Sequence, residues 1–259
     1  WVYPLAAGSS TYYYVGGSAS GPLIGYNGTT FSVAHQGGWS ISSSANPTLN
    51  TWNHIALVRE GTGTNQFKLY LNGTLTGTGT DATTFGAQTS GTIGGSSSAQ
   101  LGYISNFRIV NNQVLYTGNF TPSTTPLTAS TVGASGANVA ASISGTTLMM
   151  AAQSATFVDK SASPVTLTPS GAPLVSPAIP FAANAAYATY GSMYVPTAVT
   201  NYLALPHTAS TTITSGSTDS FSAECWVYFN SATASTSIMD QSGANTVTFQ
   251  NWSIGLDGS

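Results

Sequence analysis

Charged side chains are scarce in this sequence of 259 residues. They make up 4% of the chain, with four Lys and Arg against seven Asp and Glu, whereas an average soluble protein has roughly 25%. Phosphate groups are bound by clustered Lys and Arg, so this composition argues against a nucleic-acid partner. A charge-poor, hydroxyl-rich surface suits dense packing and weak contacts with glycans.

Long apolar runs are also missing, and no window approaches the ~18 unbroken apolar residues of a membrane-spanning helix. Five Trp, 13 Tyr and 10 Phe argue against a disordered chain. With one cysteine, Cys225, no disulfide can form within the chain. Cys225 lies in an alternating apolar stretch, which predicts a buried thiol. We therefore expect a folded protein that does not insert into a membrane.

Convincing helical periodicity is absent, and period-two alternation takes its place. It predicts half-buried strands in four segments: HIALVRE (54–60), FKLYLNG (67–73), YISNFRIV (103–110) and FSAECWVYF (221–229). Asn72-Gly73 predicts a type I′ hairpin turn, because both of its central residues need positive φ angles. The chain is therefore predicted to be all-β, with short strands and Gly/Ser/Thr turns.

The two ends of the chain match each other. Trp1-Val2-Tyr3 matches Trp226-Val227-Tyr228 at an offset of 226 − 1 = 225 residues. Ile24-Gly25-Tyr26-Asn27-Gly28 matches Ile254-Gly255-Leu256-Asp257-Gly258 at an offset of 254 − 24 = 230 residues. Two matches in the same order indicate homologous repeats.

The segments NTWNHIALVREGTGTNQFKLYLNGT (50–74) and GYISNFRIVNNQVLYTGNFTPSTTPLT (102–128) resemble laminin-G-like, concanavalin A-like modules. Such modules occur in tandem in bacteriophage structural proteins and bacterial surface proteins. Residues 147–173, 193–206 and 221–230 are similar to the first strands of the same module. The resemblance implies antiparallel two-sheet jelly-roll sandwiches.

On this alignment, residues 1–128 are the later part of a first sandwich that lacks its opening strands. Residues 129–144 are a linker rich in Ala, Ser and Gly, and residues 145–259 are the opening part of a second sandwich that lacks its end. Open sheet edges are unstable and sticky. We expect either a fragment of a longer tandem array or neighbouring copies that complete each other by strand exchange, and we favour the fragment.

Glycoside hydrolases share this fold, so the resemblance makes paired acidic residues possible catalytic groups. Retaining enzymes need two carboxylates roughly 5 Å apart, but Glu60 and Glu224 stand alone in the sequence and the five Asp are scattered. His54 follows the family pattern and is predicted to be a packed or hydrogen-bonded histidine. Catalytic residues are therefore not expected. No metal or other cofactor is expected either, although Asp81 and Asp240 are weak candidates for a possible Ca²⁺ site.

Aromatic side chains are the weak candidates for ligand binding, because sugar rings stack on aromatic faces. Tyr13, Tyr26 and Trp39 are named for this role, with burial in the core as the alternative. The function expected is a non-enzymatic structural and attachment module on a phage virion or surface fibre. Its partners would be neighbouring copies, other structural proteins and surface glycans. The alternatives are a bacterial extracellular adhesin of the same fold, or a glycan-processing enzyme with its catalytic part elsewhere.

Overall fold

The computed structural model describes thirteen ranges of the chain, within which all structural statements below are made. They are 22–26, 31–35, 39–48, 51–82, 90–93, 101–144, 146–153, 156–181, 191–195, 202–206, 220–231, 236–242 and 252–256. These residues form strands, turns and irregular segments, with no helix among them. In this described part, no helix long and apolar enough to cross a membrane is found.

The described residues contain seventeen strands. They are β1 (Pro22–Tyr26), β2 (Phe31–His35), β3 (Trp39–Ser42), β4 (Asn53–Arg59), β5 (Phe67–Leu71), β6 (Thr74–Gly79), β7 (Ser90–Ile93), β8 (Leu101–Asn111), β9 (Thr146–Gln153), β10 (Thr156–Asp159), β11 (Thr168–Ser170), β12 (Leu174–Ser176), β13 (Ser192–Val195), β14 (Tyr202–Pro206), β15 (Phe221–Ser231), β16 (Thr236–Ser242) and β17 (Trp252–Leu256). The four segments with clear alternation fall on β4, β5, β8 and β15, as predicted.

The strands form two sheets. One runs β11-β14-β7-β16-β17-β1-β2-β3, and the other runs β10-β9-β8-β15-β4-β5-β6, with β13 also paired to β8 and β12 to β13. Neighbouring strands are antiparallel except β1 and β17, which are parallel. The predicted all-β, antiparallel two-sheet sandwich is therefore confirmed.

Strands from both halves of the sequence share both sheets. β15 lies between β4 and β8, and β7 lies between β14 and β16. The hydrogen bonds that complete each sheet therefore join residues before 128 to residues after 145. The boundaries predicted at 1–128, 129–144 and 145–259 stay a prediction.

The main core lies between the sheets and follows from the alternation in the strands. Every second residue of β15 points inward, so Phe221, Ala223, Cys225 and Val227 are fully buried there. Ile41, Ile93 and Leu203 meet them from the opposite sheet. The predicted burial of Cys225 is confirmed.

A second layer covers part of the outer face of the larger sheet. Leu115, Tyr116, Phe120 and Val132 pack there in a cluster with Ala56, Val58, Tyr70 and Val110 of the strands. We call residues 112–143 the covering segment. Because it buries the outer face, all seven residues of β4 are buried. The prediction that this strand is half-buried is wrong, since alternation shows only which residues share a face.

Two backbone features position the outward-facing side chains. Asn72 and Gly73 have φ angles of 52° and 77°, which confirms the predicted hairpin turn between β5 and β6. Asn106 has a φ of 52° and lies where the pairing of β8 with β15 shifts. This bulge lets Ile104 and Phe107 both reach the core although they are three residues apart.

Candidate functional site

Acid and base side chains meet beneath the covering segment. Glu224 of β15 lies directly opposite Arg108 of β8, and its Oε1 accepts hydrogen bonds from Arg108 Nε at 2.8 Å and from Arg108 Nη2. Its Oε2 accepts the Tyr116 hydroxyl at 2.7 Å and lies 3.0 Å from His54 Nε2. All four side chains are buried, and each is at most 1% exposed.

Arg108 uses all of its donors in this cluster. Its Nη1 donates to the carbonyls of Thr128 at 2.8 Å and Thr131 at 2.7 Å, and its Nη2 donates to Val132 at 2.8 Å. With the bonds to Glu224, the five N–H groups of the guanidinium are satisfied. Arg108 therefore ties the covering segment to the sheet, including residues of the predicted linker.

The surroundings of Glu224 fix its charge. Burial alone would raise the pKa of this carboxyl, but the Arg108 guanidinium and the bonds from His54 and Tyr116 hold the pKa at about 2. A carboxylate with about four acceptor positions, all of them used here, has no free position for a substrate proton. Glu224 is therefore an ion held in place by its neighbours.

Burial sets the state of the other two titratable groups. It lowers the pKa of His54 although Glu224 favours the charged ring. The bond to Glu224 needs a proton on Nε2, and among the described residues no partner faces Nδ1, so the ring is the neutral Nε2–H tautomer. Burial and the Glu224 charge raise the pKa of Tyr116 well above its usual value. The cluster can hold the sheet and the covering segment together, but it does not expose a reactive group.

The sequence predicted a hydrogen-bonded or packed role for His54, which its contacts fit. It did not pick out Arg108 or Tyr116 as the partners of Glu224. One signal in the sequence could have suggested the pair. Glu224 and Arg108 are each the single charged residue of an alternating, otherwise uncharged strand segment. Their pairing depends on the position of β15 beside β8, which the sequence alone does not give.

The candidate metal residues are not brought together. Asp81 is buried after β6, and its backbone carbonyl accepts a bond from Arg59 Nη2 at 3.2 Å. Asp240 lies in β16 of the other sheet, and its side chain is outside the described part. No group of three or more His, Cys, Asp or Glu suited to a metal occurs in the described ranges.

The candidate stacking residues are only partly described. Tyr13 lies outside the described residues. The backbone register places Tyr26 opposite Phe31 at one end of β2, whereas Trp39 stands opposite His35 at the other end. The side chains of Tyr26 and Trp39 are not described. Their role in binding stays a prediction.

Comparison with known proteins gives one match. Residues 1–115 match a family model described as the concanavalin A-like lectin/glucanases superfamily. No curated protein and no solved structure matches the chain significantly. The match agrees with the two-sheet sandwich and with the segment 50–74 that carries the resemblance in the sequence. Residues 1–115 are thus similar to the concanavalin A-like lectins and glucanases, a superfamily that includes both glycan-cleaving enzymes and non-enzymes.

Proposed function

We propose that this protein is a non-enzymatic structural and attachment module on a phage virion or surface fibre, with weak glycan binding. The observation that carries the proposal is the burial of Glu224 in its completed cluster. Glycoside hydrolysis needs two carboxyl groups that reach the scissile bond from a cleft. A lectin-like sandwich whose central acid serves the packing of its own sheet is suited to binding and assembly.

The other described acids also have structural surroundings. Asp159 accepts bonds from Ser161 N at 2.9 Å and Val165 N at 2.9 Å, and so closes its own loop. Glu60 forms an ion pair with Lys68 at 2.5 Å. These arrangements support a role that does not depend on acid catalysis.

The low charge supports dense packing on a particle. Modules with little net charge approach one another without strong repulsion, and their hydroxyl groups keep the surface hydrated. The match between the two ends of the chain supports a tandem arrangement, in which neighbouring copies or other structural proteins are the partners.

Mass spectrometry of purified virions and an activity assay on the intact protein test this proposal together. We expect peptides from this chain in particles purified by density gradient, and no release of reducing ends from polysaccharides that the protein binds. The control is a particle preparation treated with protease to remove surface fibres, in which the peptides should be depleted. Turnover of a polysaccharide would overturn the non-enzymatic assignment. Detection of the protein anchored on bacterial cells would favour the alternative function, a bacterial adhesin.

A further inference from the structure

Five side chains form a row across four neighbouring strands and the residue just before a fifth. Leu174 of β12 stands opposite Tyr194 of β13, Tyr194 opposite Tyr103 of β8, and Tyr103 opposite Tyr228 of β15. Trp52 immediately precedes β4, where Asn53 stands opposite Val227, so it continues the row beyond Tyr228. We call these five residues the aromatic row.

The aromatic rings of the row touch one another in sequence. The ring centroids of Tyr194 and Tyr103 are 5.1 Å apart, those of Tyr103 and Tyr228 5.0 Å, and those of Tyr228 and Trp52 5.3 Å. Directly opposed residues on neighbouring strands point to the same side of a sheet. The row therefore forms one continuous apolar strip.

The strip lies on the outer face of the larger sheet. The residues next to it along the strands, Met193, Ile104 and Val227, point into the core between the sheets. The four aromatic side chains are partly exposed, and Leu174 is 56% exposed. Four strand spacings of about 4.8 Å give the strip a length of about 19 Å. The covering segment buries the same face around Ala56 and Tyr70, away from the row.

The backbone under the row is held in place. The Asn53 side chain accepts a bond from Thr48 N at 2.8 Å and donates to the Thr48 and Thr51 carbonyls, which fixes the loop that carries Trp52. Ser105 Oγ donates to the Gly191 carbonyl at 2.9 Å, which holds the start of β13 against β8. Tyr and Trp lose little side-chain entropy on binding, so a fixed row of them is a ready contact surface.

The five residues of the row, Trp52, Tyr103, Leu174, Tyr194 and Tyr228, are all uncharged. Among the described charged side chains, Arg59, Arg108 and Glu224 are buried. Lys68 of β5, a strand that the row does not reach, is paired with Glu60. The row itself therefore supplies no counter-charge to a charged ligand. Tyrosine and tryptophan offer apolar faces with polar tips, and this combination matches the CH faces and hydroxyl groups of neutral sugars.

We infer that the aromatic row is a binding site for a single, unbranched chain of neutral hexopyranose units, which lies across the strands. This inference rests on the proposed function and gives its glycan binding a location. The rings are inclined to one another by 41° to 73°, so the strip is not flat. A twisted soluble chain, whose successive sugars turn relative to one another, fits such a strip, whereas a flat crystalline surface does not.

Native gels that contain soluble polysaccharides test this inference on the full chain. The probes are hydroxyethyl cellulose, galactomannan and dextran as neutral chains, alginate as an acidic chain, and microcrystalline cellulose in a pull-down. We expect retardation by at least one neutral chain and none by alginate. Trp52→Ala and Tyr228→Ala should each weaken that binding about tenfold. Leu75→Ala, a half-buried apolar position in β6 at the far edge of the same sheet, is the control and should bind as the original chain does.

Two comparisons keep the test independent of folding. Trp52 lies outside a strand, so Trp52→Ala should leave the thermal midpoint nearly unchanged. The double variant Tyr103→Phe with Tyr228→Phe keeps both rings and should retain most of the binding. Saturating glycan should also shift the tryptophan emission of the original chain to shorter wavelength, and this shift should shrink in Trp52→Ala.

Four outcomes would overturn the inference. Binding that survives the row variants but is lost in Trp39→Ala would leave the proposed glycan binding standing and move the site to the other sheet. Retardation by alginate alone would assign the protein a charged ligand. Self-association without glycan that Tyr228→Ala abolishes would make the row a contact between copies. A failure of every probe to bind would remove both this site and the glycan part of the proposed function, while the virion location is tested separately.

Discussion

Ile24 stands directly opposite Ile254 in the parallel pair of β1 and β17. The same two residues are equivalent in the match between the two ends of the sequence, at an offset of 254 − 24 = 230 residues, and Leu23 with Ser253 keeps this offset. Two strands with matching sequences thus lie side by side in one sheet and run in the same direction.

The Trp-Val-Tyr segment at 226–228 lies in the larger sheet, whereas β1 and β17 lie in the other. Trp226 and Tyr228 belong to β15, which separates β4 from β8 and pairs with both. Strands β4 and β8 come from the first half of the sequence and are completed by a strand of the second half. In the described residues, the sandwich is therefore built jointly by both halves of the sequence.

Removal of the charge on Glu224 should strongly destabilise the fold. Glu224→Gln keeps the side-chain shape but leaves Arg108 buried without a counter-charge. Loss of one partner of a buried ion pair costs roughly 3–5 kcal/mol, and we expect a loss of this size in urea unfolding at neutral pH. Glu60→Gln removes the acid of the more exposed pair with Lys68 and should cost less than about 1 kcal/mol. Equal losses in the two variants would contradict the role of the cluster.

Acid should weaken the fold in two steps. The pKa of His54 is lowered in the folded state, so the unfolded chain takes up its proton first and stability starts to fall as the pH drops below about 6.5. The pKa of Glu224 falls from 4.5 to about 2 on folding. Its contribution, on the order of 3 kcal/mol, is present above pH 4.5 and is lost as the pH falls toward 2. Thermal midpoints across this range would measure both steps.

High pH should also lower the stability of the fold. Burial raises the pKa of Cys225 from 9.0 to about 12, and the pKa of Tyr116 is also raised. Both groups ionise more easily in the unfolded chain, so stability should be full below pH 9 and fall above it. A thermal midpoint that keeps rising above pH 9 would contradict this expectation.

Cys225 should not react while the chain is folded. The thiol is fully buried in the main core and has a raised pKa, and the thiolate is the reactive form. We expect a thiol reagent to label it at the rate of unfolding at pH 8, and at once in concentrated guanidinium chloride. Labelling of the native chain within seconds would place Cys225 at the surface.

The turn glycine should not tolerate a side chain. Gly73 has a φ of 77°, and a Cβ built there would lie 2.1 Å from the carbonyl oxygen of Phe120. Gly73→Ala should therefore cost roughly 2 kcal/mol or more in urea unfolding. Gly61→Ala is the control, because its Cβ would meet only the end of the flexible Gln66 side chain. A loss in the control as large as that in Gly73→Ala would contradict the steric explanation.

Local sequence determined the elements that depend on neighbouring residues. Alternation located β4, β5, β8 and β15, because a strand turns successive side chains to opposite faces. Asn72-Gly73 fixed a hairpin, since few other residues accept two positive φ angles in succession. The resemblance of segment 50–74 to a lectin-like module gave the fold class, and the matched family model covers that segment.

Only the tertiary structure decided which strands are neighbours, because pairing between distant strands is not encoded in the period of either one. The placement of β15 beside β8 brings Glu224 to Arg108, residues 224 − 108 = 116 positions apart in the sequence. The same placement aligns Tyr228 with Tyr103 and creates the aromatic row, which no single segment reveals. Packing of the covering segment then buries one part of the outer face, while the four aromatic side chains of the row stay partly exposed.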